Sequence, residues 1–185
     1  MLLMISLIAC PPCNPIIVDN GQIPEQALST IPYQDGDTCV FKHSNGLEIN
    51  FFVTRQTTTE SSYWEHCEEY TYQYQINSAK LLPDYPVFEF NLAISNLDTT
   101  NLNFYASIGK FGFMVPVSEE QYMYAAIVDS VFIASDWYYD VFRLKSDYYN
   151  YNFSDSIYAD SLYYNYEFGI LKILMSNGEY YEISR

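Results

Sequence analysis

Positive charge is what this sequence has least of. Eight lysines and arginines stand against 23 aspartates and glutamates in 185 residues, a formal net charge of −15. Phosphate backbones and anionic lipid both call for a basic surface, so this balance argues against nucleic-acid binding and against electrostatic docking on an anionic membrane. Histidine is scarce too, with only His43 and His66. There is no GxSxG nucleophile elbow, no glycine-rich phosphate cradle and no basic patch, so nothing nominates a hydrolytic serine or a nucleotide site. The densest titratable cluster is WEHCEEY, residues 64–70. Read as a strand, it puts His66 and Glu68 on one face and Glu65, Cys67 and Glu69 on the other. Two ligands on a face fall short of the three or four that zinc takes unless His43 joins from the neighbouring hairpin, and the plainer reading is a half-buried strand with a solvated acidic edge. The residue inventory thus implies no cofactor and no enzyme.

Long hydrophobic runs are also missing: residues 2–9, LLMISLIA, are far shorter than the roughly 20 residues a membrane span needs. A short uncharged run at the front suits the apolar centre of a secretion signal, although no Lys or Arg precedes it. Directly behind it comes CPPCNP, where Pro11, Pro12 and Pro15 forbid a continued helix or strand. That context also counts against a redox or metal-binding role for the Cys10-to-Cys13 spacing, since redox CxxC pairs open a helix after a strand.

Leu7, Ile8, Ala9 and Cys10 resemble the lipobox of bacterial lipoproteins. The resemblance implies that residues 1–9 are a signal peptide and that Cys10 becomes the lipidated first residue of the mature chain. Two acyl chains anchor stably where one is marginal. Residues 10–32 are polar, proline-containing and aperiodic, with at most one helical turn at PEQALS, and read as a lipidated tether. An exported protein meets an oxidising compartment, so Cys39 and Cys67 are candidates for a disulfide. Cys39 falls on a core-facing register and Cys67 on a polar one, which leaves that bridge open.

From Tyr33 to the C-terminus the chain reads as a single all-β domain. Twenty tyrosines and twelve phenylalanines suit pleated, half-buried surfaces. Two stretches, TCVFKHSNGLEINFFV and FGILKILMSNGEYYEIS, set Ser-Asn-Gly between alternating segments, a strong hairpin signal. Side-chain pairing selects the loop length. A three-residue Ser-Asn-Gly loop sets Lys42 opposite Glu48, Phe41 opposite Ile49, Lys172 opposite Glu182, Leu171 opposite Ile183 and Ile173 opposite Tyr181. A two-residue loop would set Lys42 against Ile49 and Lys172 against Ile183. A one-residue slip inverts both faces, so the three-residue register is predicted, with Gly46 and Gly178 left-handed.

Between the hairpins, alternation continues. Trp64, His66, Glu68, Tyr70, Tyr72, Tyr74 and Ile76 share one face of a long strand. Phe88, Phe90, Leu92 and Ile94 form an inward row, followed by Leu102 to Ile108 and Phe111 to Val117. SEEQ at 118–121 reads as a capping box, so Ser118 starts a short helix. Strands at 127–133, 137–144 and 161–168 complete roughly ten. With no βαβ rhythm, the expected fold is an antiparallel β-sandwich or barrel with at most one short helix.

The lipobox, the acidic tyrosine-rich β domain and the ending YYNYEFGILKILMSNGEYYEIS together resemble the small lipoproteins of the Bacteroidota type. This resemblance implies a compartment, the bacterial cell envelope, and no activity. Surface-displayed members often carry acidic residues just after the lipidated Cys, and CPPCNPIIVD lacks them; the expected location is lipid-anchored in the envelope, periplasm-facing or at the outer membrane.

Two candidate sites remain. Trp137, Tyr138, Tyr139, Tyr148, Tyr149 and Tyr151 form an aromatic cluster able to stack on a sugar or a protein. Asp147, Asn150, Asn152 and Asp155 supply hard oxygens for calcium, but without the spacing and glycine of an EF-hand loop, so an exposed polar loop is the plainer reading. The function expected is a lipid-anchored, non-catalytic β domain that binds a protein or scaffolds an envelope complex. The alternatives are a glycan-binding module using exposed tyrosines, or a carrier of lipophiles.

Overall fold

The computed structural model describes residues 16–62, 70–97, 101–118, 121, 125–146 and 157–184. In these, twelve strands and one short helix follow in the order β1 (Ile16–Asp19), α1 (Glu25–Leu28), β2 (Thr38–His43), β3 (Glu48–Ser61), β4 (Tyr70–Pro83), β5 (Phe90–Ser95), β6 (Asn103–Ile108), β7 (Phe111–Val115), β8 (Ala126–Ile133), β9 (Asp136–Lys145), β10 (Ala159–Asn165), β11 (Gly169–Met175) and β12 (Tyr180–Ser184). The fold is all-β. One continuous antiparallel sheet runs β7-β6-β5-β4-β3-β2-β12-β11-β10-β9-β8, and β1 adds to β4 in parallel.

Both Ser-Asn-Gly hairpins take the three-residue loop. Lys42 pairs with Glu48, Phe41 with Ile49, Lys172 with Glu182 and Ile173 with Tyr181. His43 N–H donates to Leu47 O at 2.8 Å, and Met175 N–H to Glu179 O at 2.8 Å. Gly46 and Gly178 sit at φ 95° and 88°, the left-handed region that closes such a loop. The two hairpins lie side by side, because β12 pairs with β2. Lys172, Glu182, Lys42 and Glu48 therefore make a row of alternating charge across four strands. The expected Leu171–Ile183 pair is not in the ladder. An extra residue in β11 shifts the register between Tyr163↔Lys172 and Tyr164↔Ile170. That bulge turns Leu171 to the other face, where it packs with Ile183 in a second cluster.

The sheet curls until β7 lies against β9 and β10, which makes it a half-closed barrel. Inside it, Phe41, Ile49, Phe51, Leu81, Phe90, Leu92, Ile94, Phe104, Phe113, Leu162, Tyr164 and Ile173 form the main core. Phe51 stacks on Phe90 at 4.4 Å between ring centroids, and Phe41 meets both edge-on. The inward rows read from alternation, Phe90-Leu92-Ile94 and Phe104-Ala106-Ile108, are all buried. Beside this core, Ala27, Leu102, Val117 and Tyr166 line a cleft of about 470 Å³.

The tether boundary needs correction. Residues 16–32 belong to the domain: β1 pairs with β4, and Ile23, Ala27 and Ile31 are buried in the main core. Polar groups tie this segment down. Arg55 donates through Nη1 to Ile31 O and Tyr33 O, both at 2.9 Å, through Nη2 to Leu28 O at 2.8 Å, and through Nε to Asn77 Oδ1 at 3.0 Å. Leu28 ends α1, and its carbonyl accepts both from Arg55 Nη2 and from Ile31 N–H at 3.3 Å. Tyr164 Oη donates to Thr30 O at 2.5 Å, and Tyr33 Oη accepts from Ile170 N–H at 2.8 Å. No periodicity marks a segment held this way, which is why it reads as tether in sequence. The helical turn at PEQALS is α1. Of the SEEQ motif, Ser118 and Gln121 are described. Gln121 N–H donates to Ser118 O, and Gln121 Oε1 accepts from Val117 N–H at 2.8 Å.

Candidate functional site

The β8–β9 hairpin lies at one end of the sheet, beyond the seam where β7 closes on β9 and β10. Its two faces differ sharply. On one, Ile133, Tyr138 and Val141 are buried with Leu171, and Val131, Tyr163, Phe168 and Ile183 pack round them. Tyr138 meets Phe168 edge-on at 5.4 Å. On the other, Phe132, Trp137 and Tyr139 stand 58%, 60% and 64% exposed. Phe132 and Trp137 are a directly opposed cross-strand pair with ring centroids 5.4 Å apart and planes tilted by 56°. Ser130 faces Tyr139. Exposed Asp129, Asp136 and Asp140 lie along the same hairpin.

Local conformation produces this display. Ala134 and Ser135 make the two-residue turn at φ 49° and 74°, left-handed values usually met by Asn-Gly. Asp140 is left-handed as well, at φ 52°. Tyr138 and Val141 share the buried face although three positions apart, so the reversal at Asp140 replaces strict alternation. Three non-glycine residues with positive φ in one hairpin are a local strain, carried by the cluster beneath.

Of the six aromatic residues predicted as a binding surface, the structure places Trp137 and Tyr139 on the exposed face. Tyr138 is a correction: it is 2% exposed and belongs to the cluster on the opposite face. Tyr148, Tyr149 and Tyr151 lie outside the described residues, as do the calcium candidates Asp147, Asn150, Asn152 and Asp155, the lipidation candidate Cys10 and the 64–69 cluster. Phe132 was missed. Its partnership with Trp137 follows once 127–133 and 137–144 are read as a tight hairpin, a step that Ala-Ser at the turn does not invite.

Cys39 lies opposite Phe51 and is a free thiol, half-buried; burial pushes it up to about 11, with Asp37 adding to the shift. Its candidate partner Cys67 lies outside the described residues. Among the described residues, no group of three His, Cys, Asp or Glu side chains is arranged to hold a metal ion. A polar groove of about 480 Å³ crosses the outer face of β3, β4 and β5, with Arg55 and Lys80 at its wall. Arg55 is already engaged by its carbonyls, and Lys80 pairs with Glu89 at 2.9 Å, so the groove offers no uncommitted cation to an anionic ligand. Burial holds the phenols of Tyr33 and Tyr164 far above the ordinary tyrosine value, where they serve packing and hydrogen bonding.

No protein-family model matches this chain, and no curated protein or solved structure matches it either. The hairpin's own chemistry therefore carries the functional reading. It offers three exposed rings, a rigid apolar footing and carboxylates alongside.

Proposed function

We propose that this chain is a lipid-anchored protein of the bacterial envelope whose non-catalytic β domain binds another protein through the β8–β9 hairpin. The observation that carries the reading is the display of Phe132, Trp137 and Tyr139 on a hairpin fixed from behind by Ile133, Tyr138, Val141 and Leu171. Binding hot spots are rich in Trp and Tyr held in place before contact, because a pre-ordered ring gives up little entropy on docking. Asp129, Asp136 and Asp140 beside the rings favour a partner whose rim is basic. Lipidation at Cys10 rests on the lipobox resemblance, and export follows from it.

A second reading, a glycan-binding module, is favoured by one feature. Trp137 and Tyr139 project on the same side of one strand beside carboxylates that accept hydroxyl hydrogen bonds. The 56° tilt between Phe132 and Trp137 makes the surface a ridge rather than a flat platform, which suits a protein groove better.

The test is capture from solubilised envelope with the wild type and a Phe132→Ser/Trp137→Ser/Tyr139→Ser variant. Proteins retained by the wild type and lost from the variant support the reading. Equal recovery by both overturns it, and binding of the wild type alone to a soluble polysaccharide transfers the site to the glycan reading.

A further inference from the structure

A second apolar surface lies at the far end of the β3–β4 ribbon, where β1 is the edge strand. Ile16 and Ile17 are 55% and 61% exposed, and Tyr70 and Tyr72 beside them are 42% and 38% exposed. β1 sets Ile16 against Tyr70 and Val18 against Tyr72, so aliphatic residues of β1 lie beside tyrosines of β4 on one face, and Ile17 lies opposite Thr71 on the other. Neighbouring Ile16 and Ile17 point to opposite faces of the strand, as in any extended chain. Both can meet a single flat partner only if it approaches the ribbon edge-on. Flat, apolar just below its surface and polar at it is the description of a bilayer interface, where tyrosine rings settle at headgroup level.

The position of the patch in the chain identifies its partner. Six residues run from Cys10 to Ile16, and a chain extends at most about 3.6 Å per residue, so β1 begins no more than about 22 Å from an anchor at Cys10. With residues 16–32 packed into the domain, this short link replaces a long tether. A link so short holds β1 at high effective concentration against the lipid surface, and a patch too weak to bind alone is then occupied. We infer that Ile16, Ile17, Tyr70 and Tyr72 form a membrane-resting face. It seats the domain on the leaflet that holds its lipid and orients the β3–β4 ribbon towards the membrane. The inference rests on the lipid-anchor reading. Asp19 and Glu60, both exposed near the patch, and the net charge of −15 choose the surface: zwitterionic lipid is preferred, and added salt strengthens contact with anionic lipid by screening repulsion.

The experiment uses full-length protein purified from bacterial membranes, its intact mass measured first, then reconstituted into phosphatidylcholine vesicles carrying a small fraction of a photoreactive phosphatidylcholine. After irradiation, adducts are mapped by mass spectrometry. The result expected is labelling concentrated on residues 16–19 and 70–73. An Ile16→Ser/Ile17→Ser variant, still lipidated and still on vesicles, is labelled there about tenfold less, as expected from losing two exposed aliphatic contacts. Lipidated wild type whose adducts are scattered over the domain, or sit on the β8–β9 hairpin, overturns the membrane-resting face and leaves the anchor standing. A wild type whose mass shows no lipid overturns the anchor reading, and the face with it. A soluble Cys10→Ser protein that forms dimers broken by Ile16→Ser/Ile17→Ser assigns the patch to a second copy and also overturns the inference.

Discussion

The hairpins at the centre of the sheet and the hairpin at its end solve the same problem in opposite ways. β2–β3 and β11–β12 turn through Ser-Asn-Gly, with a glycine where the backbone must be left-handed, and bury one face in the main core. β8–β9 turns through Ala134 and Ser135, bends again at Asp140, and shows Phe132, Trp137 and Tyr139 to solvent. In the centre, turn preference, charge pairing and burial agree except at the Leu171 bulge, close to a minimally frustrated fold. At the end of the sheet they conflict, with strained turn residues and exposed rings kept in place by a small cluster on the reverse face. Disagreement of that kind is where function is expected to lie.

The largest effect that would break the contrast is alkaline pH acting on the centre. Tyr33 and Tyr164 are fully buried and their phenols are raised, mainly by desolvation. A raised folded value means their contribution is complete below the unfolded value near 10 and is lost as pH rises above it. Two such groups remove about 2.7 kcal/mol per pH unit in that range. Loss of sheet circular dichroism and the rise of buried tyrosinate absorbance are expected to coincide above about pH 10. Tyrosinate formation that runs to completion with the sheet intact would contradict the assignment.

Arg55→Met comes next. It strips Leu28, Ile31 and Tyr33 of a shared donor and frees the segment that closes the core, at an expected cost of about 3 kcal/mol in urea unfolding. Gly46→Ala and Gly178→Ala are each expected to cost about 1–2 kcal/mol; nothing lies within 4 Å of a Cβ added at either, so the cost is conformational. The same measurement on Ala134→Asn/Ser135→Gly is expected to show the opposite sign, a gain of about 0.5–1 kcal/mol, because Asn-Gly suits this turn. A loss there would mean that the end hairpin is not strained and the contrast is false. Trp137→Ser is expected to change stability least, within about 0.5 kcal/mol, since its side chain is mostly in water. Its effect should appear in partner capture instead.

Much of the local structure was legible because it depends on neighbours a few residues apart. Opposite charges at Lys42 and Glu48, and at Lys172 and Glu182, select one loop length. The rows Phe90-Leu92-Ile94 and Phe104-Ala106-Ile108 can turn only one way without losing the core. The candidate site was half legible: Trp137 and Tyr139 stand out, while Tyr138 looks like their equal until the reversal at Asp140 and the cluster beneath assign it to the other face.

By itself, then, the sequence determined an acidic all-β chain, its strand rows, and the register and turns of two hairpins, because alternation and cross-strand pairing act over a few residues. Only the tertiary structure decided that the first and last hairpins join through β2 and β12 and that the sheet curls until β7 meets β9 and β10. It alone made residues 16–32 part of the core rather than a tether. The physical reason is range. Long-distance strand pairing, the hydrogen bonds of Arg55 and Tyr164 to an aperiodic segment, and that of Tyr33 at its end to Ile170 link residues far apart in the chain and leave no period in either partner.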